Sequence, residues 1–138
     1  AALGSKSAVL PIVLADRTVI VLQPTVPSLS DGLKVQEYAQ SYGTTTAGVL
    51  FNRVQPDEDV ETIADRAARY FGGTALGAVP ESDAVRAARR AGEPLLAHAP
   101  TDPAADAFRD AAAALDVQPG DAAGVAERFR SAVVPDRP

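Results

Sequence analysis

The sequence contains no cysteine, which removes disulfide scaffolds, thiolate metal sites and thiol nucleophiles together. Its single histidine, His98, lies in a proline-flanked loop with no second ligand cluster nearby, so the expected role is structural rather than catalytic or metal-binding. One unplaced histidine gives a Ser-His-Asp arrangement nothing to rest on. No apolar run approaches the ~20 residues that cross a bilayer as a helix. The opening AALGSKSAVL lacks a basic stretch ahead of an apolar one, so no secretory signal is read and the expected location is the cytoplasm. Lysine is scarce: Lys6 and Lys34 are the only two, the other basic residues are arginines, and Asp outnumbers Glu. Such a surface suits high salt, and it equally suits a compositional bias of the source genome. Positive charge is outweighed, 13 basic against 18 acidic residues for a net charge of −5, which argues against a broadly basic nucleic-acid surface. The first residue is not Met, and the expectation drawn from that is a fragment or a processed product.

What is present reads as a single α/β domain over residues 1–138, with a C-terminal helix and frayed tail over 117–138. A hydrophobic share of 46% is ordinary for a folded soluble chain, and a chain of this size buries roughly two-thirds of its unfolded surface. Short β-branched runs alternate with longer Ala-rich stretches. RTVIVLQ (17–23) reads as a buried strand broken by Pro24 and Pro27. Ser28 or Ser30 can cap a helix over about 30–42, with Leu33, Val35, Tyr38 and Ala39 as apolar positions and Gly43 in the left-handed place after it. TAGVLF (46–51) is a second strand, and 52–56 a loop. Asp57 and Glu58 open a helix over about 58–71 with Ile63, Ala67, Tyr70 and Phe71 facing inward, ended by Gly72 and Gly73. TALGAV (74–79) is a third strand closed by Pro80. Ser82 caps a helix to about Ala91, stopped by Gly92. Two more helices follow, near 103–115 and 121–133. Strands separated by helices of ten or more residues require crossovers and therefore a parallel sheet flanked by helices. Three strands are too few for a complete doubly wound sheet. The chain is then either a small α/β layer or the later part of a larger sheet whose other strands precede Ala1.

In an open parallel sheet, ligands sit beyond the carboxyl ends of the strands. That rule selects three loops: Gln23-Pro24-Thr25, Asn52-Arg53-Val54 and Pro80-Glu81-Ser82. An Asn carboxamide sets a donor beside an acceptor, matching the N6/N7 edge of adenine. A neighbouring Arg offers a flat cation that stacks on a base. A proline-led loop holds peptide groups in place without a large ordering cost. The plainer readings are a turn for Asn52, a solvated charge for Arg53 and punctuation for Pro80.

From Leu3 to about Pro100 the chain resembles the C-terminal half of MinD/ParA-type P-loop ATPases of the deviant Walker group. AALG resembles the end of the family's switch segment, and ADRTVIVLQPTVPSLSDGLKV the strand, loop and helix after it. GVLFNRV resembles the strand carrying the Asn-Arg base motif, and LGAVPESDAVRAARRAGEPL the strand, base loop and following helix. The last block is the most specific, since Leu-Gly, Pro-Glu, an Ala-rich helix and Gly-Glu-Pro arrive in order. The resemblance implies a partial P-loop NTPase fold lacking the N-terminal strands. It implies that Asn52 recognises the adenine amino group, that Arg53 packs on base or ribose, and that Pro80, Glu81 and Ser82 line the base pocket. It implies ATP or ADP as ligand, with Mg2+ only in the complete protein, a homodimer bridged by nucleotide, and a role in positioning or partitioning cargo. Dethiobiotin-synthetase-like and cobyrinate-amidotransferase-like domains share the Asn-Arg and Leu-Gly-x-x-Pro features. A non-enzymatic adaptor is the reading from another class, with a partner protein on the sheet edge or on the 28–42 helix.

The family's phosphate-handling residues are not matched. Gly4-Ser5-Lys6-Ser7 lacks the glycine spacing of a phosphate loop and does not follow a strand, so it reads as a helix N-terminus. The magnesium-positioning Asp of the switch strand would lie before Ala1. The chain alone is therefore expected not to release phosphate from ATP. No catalytic and no metal-ligating residue is assigned: Asp57, Glu58, Asp59 and Glu61 read as a solvated helix start. Arg86, Arg89 and Arg90 form the candidate nucleic-acid patch, opposed by the net charge. Val125, Phe129 and Val133 share one side of the last helix, which has too few bulky apolar and cationic residues for membrane anchoring. An incomplete parallel sheet exposes an edge and apolar faces, so the chain alone is expected to self-associate.

Overall fold

A computed structural model describes residues 6–72, 74–115, 117, 120 and 122–133. Seven helices and three strands are found among them, in the order α1 (Lys6–Leu14), β1 (Arg17–Leu22), α2 (Val26–Ser41), β2 (Thr45–Val54), α3 (Val60–Phe71), β3 (Ala75–Pro80), α4 (Asp83–Ala91), α5 (Leu95–His98), α6 (Pro103–Ala114) and α7 (Ala122–Val133). The strands form one parallel sheet in the order β1-β2-β3. Leu22 pairs with Phe51, Phe51 with Ala78, and Val54 with Pro80. The carboxyl ends of all three strands therefore lie along one side of the sheet.

Alternation along the strands sends residues to two layers. Ile20, Leu22, Val49 and Phe51 meet Leu29 of α2 and Ile63, Ala67 and Phe71 of α3 in one buried cluster. Leu50, Leu76 and Val79 meet Ala104 and Ala111 of α6 in the other. Small residues let the layers close. A Cβ on Gly32 of α2 would stand 2.7 Å from Leu22 Cδ2, and one on Gly48 of β2 would stand 2.8 Å from the Thr74 carbonyl oxygen. At the opposite end of the strands, Thr44 Oγ1 donates to the Ile12 carbonyl (2.7 Å), and Arg128 of α7 pairs with Asp16 (3.0 Å).

The parallel sheet, the strands near 17–22, 46–51 and 75–79, and the caps at Ser82, Gly72 and Gly92 agree with the sequence reading. Several details differ. Helix α2 starts at Val26 rather than near 30, because Thr25 caps it and Pro27 sits in the first turn, where a missing N–H costs nothing. The Ser28 hydroxyl turns back to accept from Gln23 N (3.0 Å) instead of capping. Strand β2 continues through Asn52 and Arg53 to Val54, so the expected loop begins later. Tyr70 is 49% exposed rather than inward. Helix α5 has only four residues, too short to show a period in sequence, and it puts His98 at a helix end rather than in the expected loop. The phosphate-loop candidate lies partly outside the described residues, at Gly4 and Ser5, while Lys6 and Ser7 are in the first turn of α1. Gly73, residues 134–138 of the tail and the side chain of Val133 also lie outside them.

Candidate functional site

Strand β2 ends irregularly. Its pairing with β3 shifts between Phe51 and Val54, and Arg53 takes φ 59, the only positive φ of a non-glycine residue among the described residues. The left-handed region crowds Cβ against the carbonyl and costs about 1 kcal/mol for such a residue. Local bonds hold the turn in place. Asn52 Oδ1 accepts from Arg53 N (3.0 Å), and Gln55 Nε2 donates to the Arg53 carbonyl (3.2 Å). The Asn52 amide nitrogen and one lone pair of Oδ1 are left for other partners.

The next strand brings its loop alongside. Glu81 N donates to the Val54 carbonyl (2.9 Å), which continues the ladder past Pro80. The Arg53 Nε then donates to Glu81 Oε2 at 2.9 Å, with side chains 58% and 25% exposed. An ion pair that open to water contributes at most about 1 kcal/mol of stability, so its main effect is orientation. Ser82 caps α4 by accepting from Ala84 N (3.1 Å) and donates its own proton to Asp102 Oδ2 (2.9 Å). Asp102 caps α6, its Oδ1 accepting from Ala104 N (2.8 Å). Pro80, Glu81 and Ser82 line an open cleft of about 400 Å³ whose far wall is Asp102 and Pro103.

The five residues singled out from sequence thus come together at the carboxyl ends of β2 and β3, though not in one cavity. Pro80, Glu81 and Ser82 face the cleft, Arg53 is joined to it through Glu81, and Asn52 is half-buried behind Arg53. The carboxylates of Glu81, Asp83 and Asp102 around this cleft suit an uncharged base rather than phosphate. Sequence reading missed Asp102. Its signal was a Thr-Asp-Pro start to an Ala-rich helix, which marks a cap; nothing local shows that the same carboxylate reaches Ser82, 20 residues earlier.

The remaining candidates are scattered. Arg86, Arg89 and Arg90 lie together on α4, with Arg86 paired to Asp83, which raises the Arg86 pKa further. His98 Nδ1 is 2.8 Å from Glu93 Oε2. Among the described residues no cluster of His, Asp and Glu could hold a metal ion, and no helix is long and apolar enough to cross a membrane. A separate groove of about 370 Å³ between α2 and α3 is lined by Val26, Leu29, Ser30, Leu33, Arg66 and Tyr70.

Comparison with known proteins bears on the family and the fold. A family described as 4Fe-4S iron sulfur cluster binding proteins, NifH/frxC family, matches residues 10–124. An uncharacterised ATP-binding protein of Methanocaldococcus jannaschii is 34% identical over 110 residues, covering 80% of this chain and 41% of that protein. The MinD cell division protein of Aquifex aeolicus has a TM-score of 0.67 at 26% identity, over 87% of this chain and 51% of that one. The septum site-determining protein MinD of Pyrococcus horikoshii OT3, complexed with Mg-ADP, has a TM-score of 0.65 at 24% identity, over 74% of this chain and 42% of that one. The chain thus spans about half, or less, of the length of these relatives. The cluster in the family description does not fit here: such clusters are held by cysteine thiolates, and the 138 residues have none.

Proposed function

The chain belongs to the NifH/frxC family of P-loop ATPases and has the MinD fold over most of its length, and from that premise we propose that it is the adenine-binding and dimer-forming part of a MinD-like ATPase that positions or partitions cargo in the cytoplasm. The observation that carries the reading is the turn at Asn52-Arg53, set at the carboxyl end of β2 and tied by the Arg53–Glu81 pair to the cleft of β3. Strained backbone kept by surrounding bonds is a mark of functional sites.

The chemistry follows from the free valences. The Asn52 amide nitrogen donates to N7 of adenine while the open lone pair of Oδ1 accepts from N6. Arg53, fixed through Nε, turns the face of its guanidinium to the base or ribose. Pro80, Glu81 and Ser82 supply the wall and the peptide groups of the base edge. The ATP-binding relative and the Mg-ADP complex of the neighbour support this ligand class. The phosphates and Mg2+ are assigned to no residue of this chain.

Titration with ADP, followed through backbone amide resonances, tests the reading. Asn52, Arg53, Glu81 and Ser82 should shift together, and Asn52→Ala should weaken binding about tenfold. A base alone offers few contacts, so the wild-type affinity is expected near the millimolar range, about 4 kcal/mol. The adaptor reading is favoured by a different observation, the groove between α2 and α3 with Val26 76% exposed at its mouth. No shift at millimolar ADP would decide for that reading.

A further inference from the structure

The carboxylate of Asp102 makes two bonds that join separate parts of the site. Its Oδ1 accepts from Ala104 N at 2.8 Å and caps α6; its Oδ2 accepts the Ser82 hydroxyl proton at 2.9 Å. The Ser82 oxygen in turn accepts from Ala84 N at 3.1 Å and caps α4. The starts of two helices are thereby pinned to each other through one side chain, and the Pro80-Glu81-Ser82 loop runs directly into the first of them.

A second consequence is polar rather than mechanical. An ionised carboxylate only accepts hydrogen bonds, and a serine hydroxyl has one proton and two lone pairs. With its proton committed to Asp102 and one lone pair to Ala84, Ser82 has only a lone pair left to offer a ligand in the cleft. A lone pair accepts from an amino group, as on adenine, and repels a carbonyl oxygen, as on guanine. Buried polar groups left facing the wrong partner discriminate far better than apolar shape does.

We infer that Asp102 is a positioning residue that fixes Ser82 as an acceptor and so sets the preference of the site for a 6-amino over a 6-oxo purine. This rests on the nucleotide reading above. Asp102 does not itself touch the base; it acts through the orientation of the serine hydroxyl and the placement of the loop.

The test is the ratio of ADP to GDP affinity, measured by amide-resonance titration of the whole chain. Asp102→Asn is the informative variant. Asn caps a helix as well as Asp, so Oδ1 still serves Ala104, while the new amide donates to Ser82 and releases the serine proton toward the ligand. The ADP preference should then narrow about tenfold while thermal stability stays near that of the wild type. In a Ser82→Ala background the same substitution should change the ratio no further. Asp102→Ser, which keeps the cap of α6 but is too short to reach Ser82, should also narrow it. A wild-type ratio in Asp102→Asn overturns the inference and leaves the adenine reading standing, with Asn52 carrying the preference; equal binding of ADP and GDP by the wild type overturns both the inference and the adenine role of Asn52. Wild-type protein that binds neither nucleotide overturns both.

Discussion

Arg53 concentrates the physical argument at the scale of single residues. Glycine or asparagine would be the inexpensive choice at φ 59. The sequence instead puts Asn one place earlier, where its side chain accepts from the Arg53 amide, and puts a long cation in the strained position. The order Asn-Arg was legible as a candidate pair, but its conformation was not. Propensity assigns the turn to Asn52, whereas the register shift that accompanies it lies between Phe51, paired with Ala78, and Val54, paired with Pro80 of the neighbouring strand. Comparing Arg53→Gly with Arg53→Ala isolates the strain. Both remove the guanidinium and should weaken ADP binding alike. Only glycine relieves the left-handed backbone, so the glycine variant should be more stable than the alanine variant by about 1 kcal/mol in urea unfolding. Equal stabilities would mean that the bonds around Arg53 hold no strain.

Among the elements, helix ends were the most legible feature, because a cap is written in two or three adjacent residues. Ser82, Gly72 and Gly92 stand where the sequence puts them. The start of α2 was misread because two serines compete with Thr25, and the choice among them is made by Gln23 N, which takes Ser28. Asp59, the cap of α3, carries a pH signature. Its carboxylate accepts from Thr62 Oγ1 (2.7 Å) and from Glu61 N (3.0 Å), and these bonds lower its pKa below the ordinary 3.8 in that order of effect. A carboxyl whose pKa is depressed by folding contributes stability that is present above its unfolded value and is lost as pH falls through the folded one. Asp59→Asn keeps the Glu61 bond and does not titrate. Its stability should therefore fall less steeply than that of the wild type below about pH 4, with the two slopes equal above it; parallel curves throughout would exclude the cap as the source. Gly48 tests the sheet in another way. A Cβ there would sit 2.6 Å from Leu76 Cγ and 2.8 Å from the Thr74 carbonyl, and backbone cannot give way as a side chain can. Gly48→Ala should cost about 1–3 kcal/mol in thermal or urea unfolding.

The whole molecule is set by how one three-stranded sheet is covered. On one face α2 and α3 bury Ile20 and Leu22 of β1, and alternation turns Val19 and Val21 to the other. There the buried cluster draws on β2, β3 and α6, and no residue of β1 belongs to it. Val19 and Val21 accordingly remain 38% and 56% exposed, beside a strand edge whose hydrogen-bonding groups have no partner strand among the described residues. Parallel sheets are normally covered on both faces, and an open apolar edge is a template for pairing with another chain. The purified chain should therefore self-associate in a concentration-dependent way. Val21→Lys adds a charge to that edge without touching the buried residues of β1, so it should shift the population toward monomer in light scattering while the circular dichroism of the fold is kept. If the unmodified chain runs as a monomer at every concentration, the open face is not an association surface. If Val21→Lys leaves the oligomer intact, association proceeds elsewhere, and the groove of α2 and α3 is the next surface to charge, through Leu33→Lys.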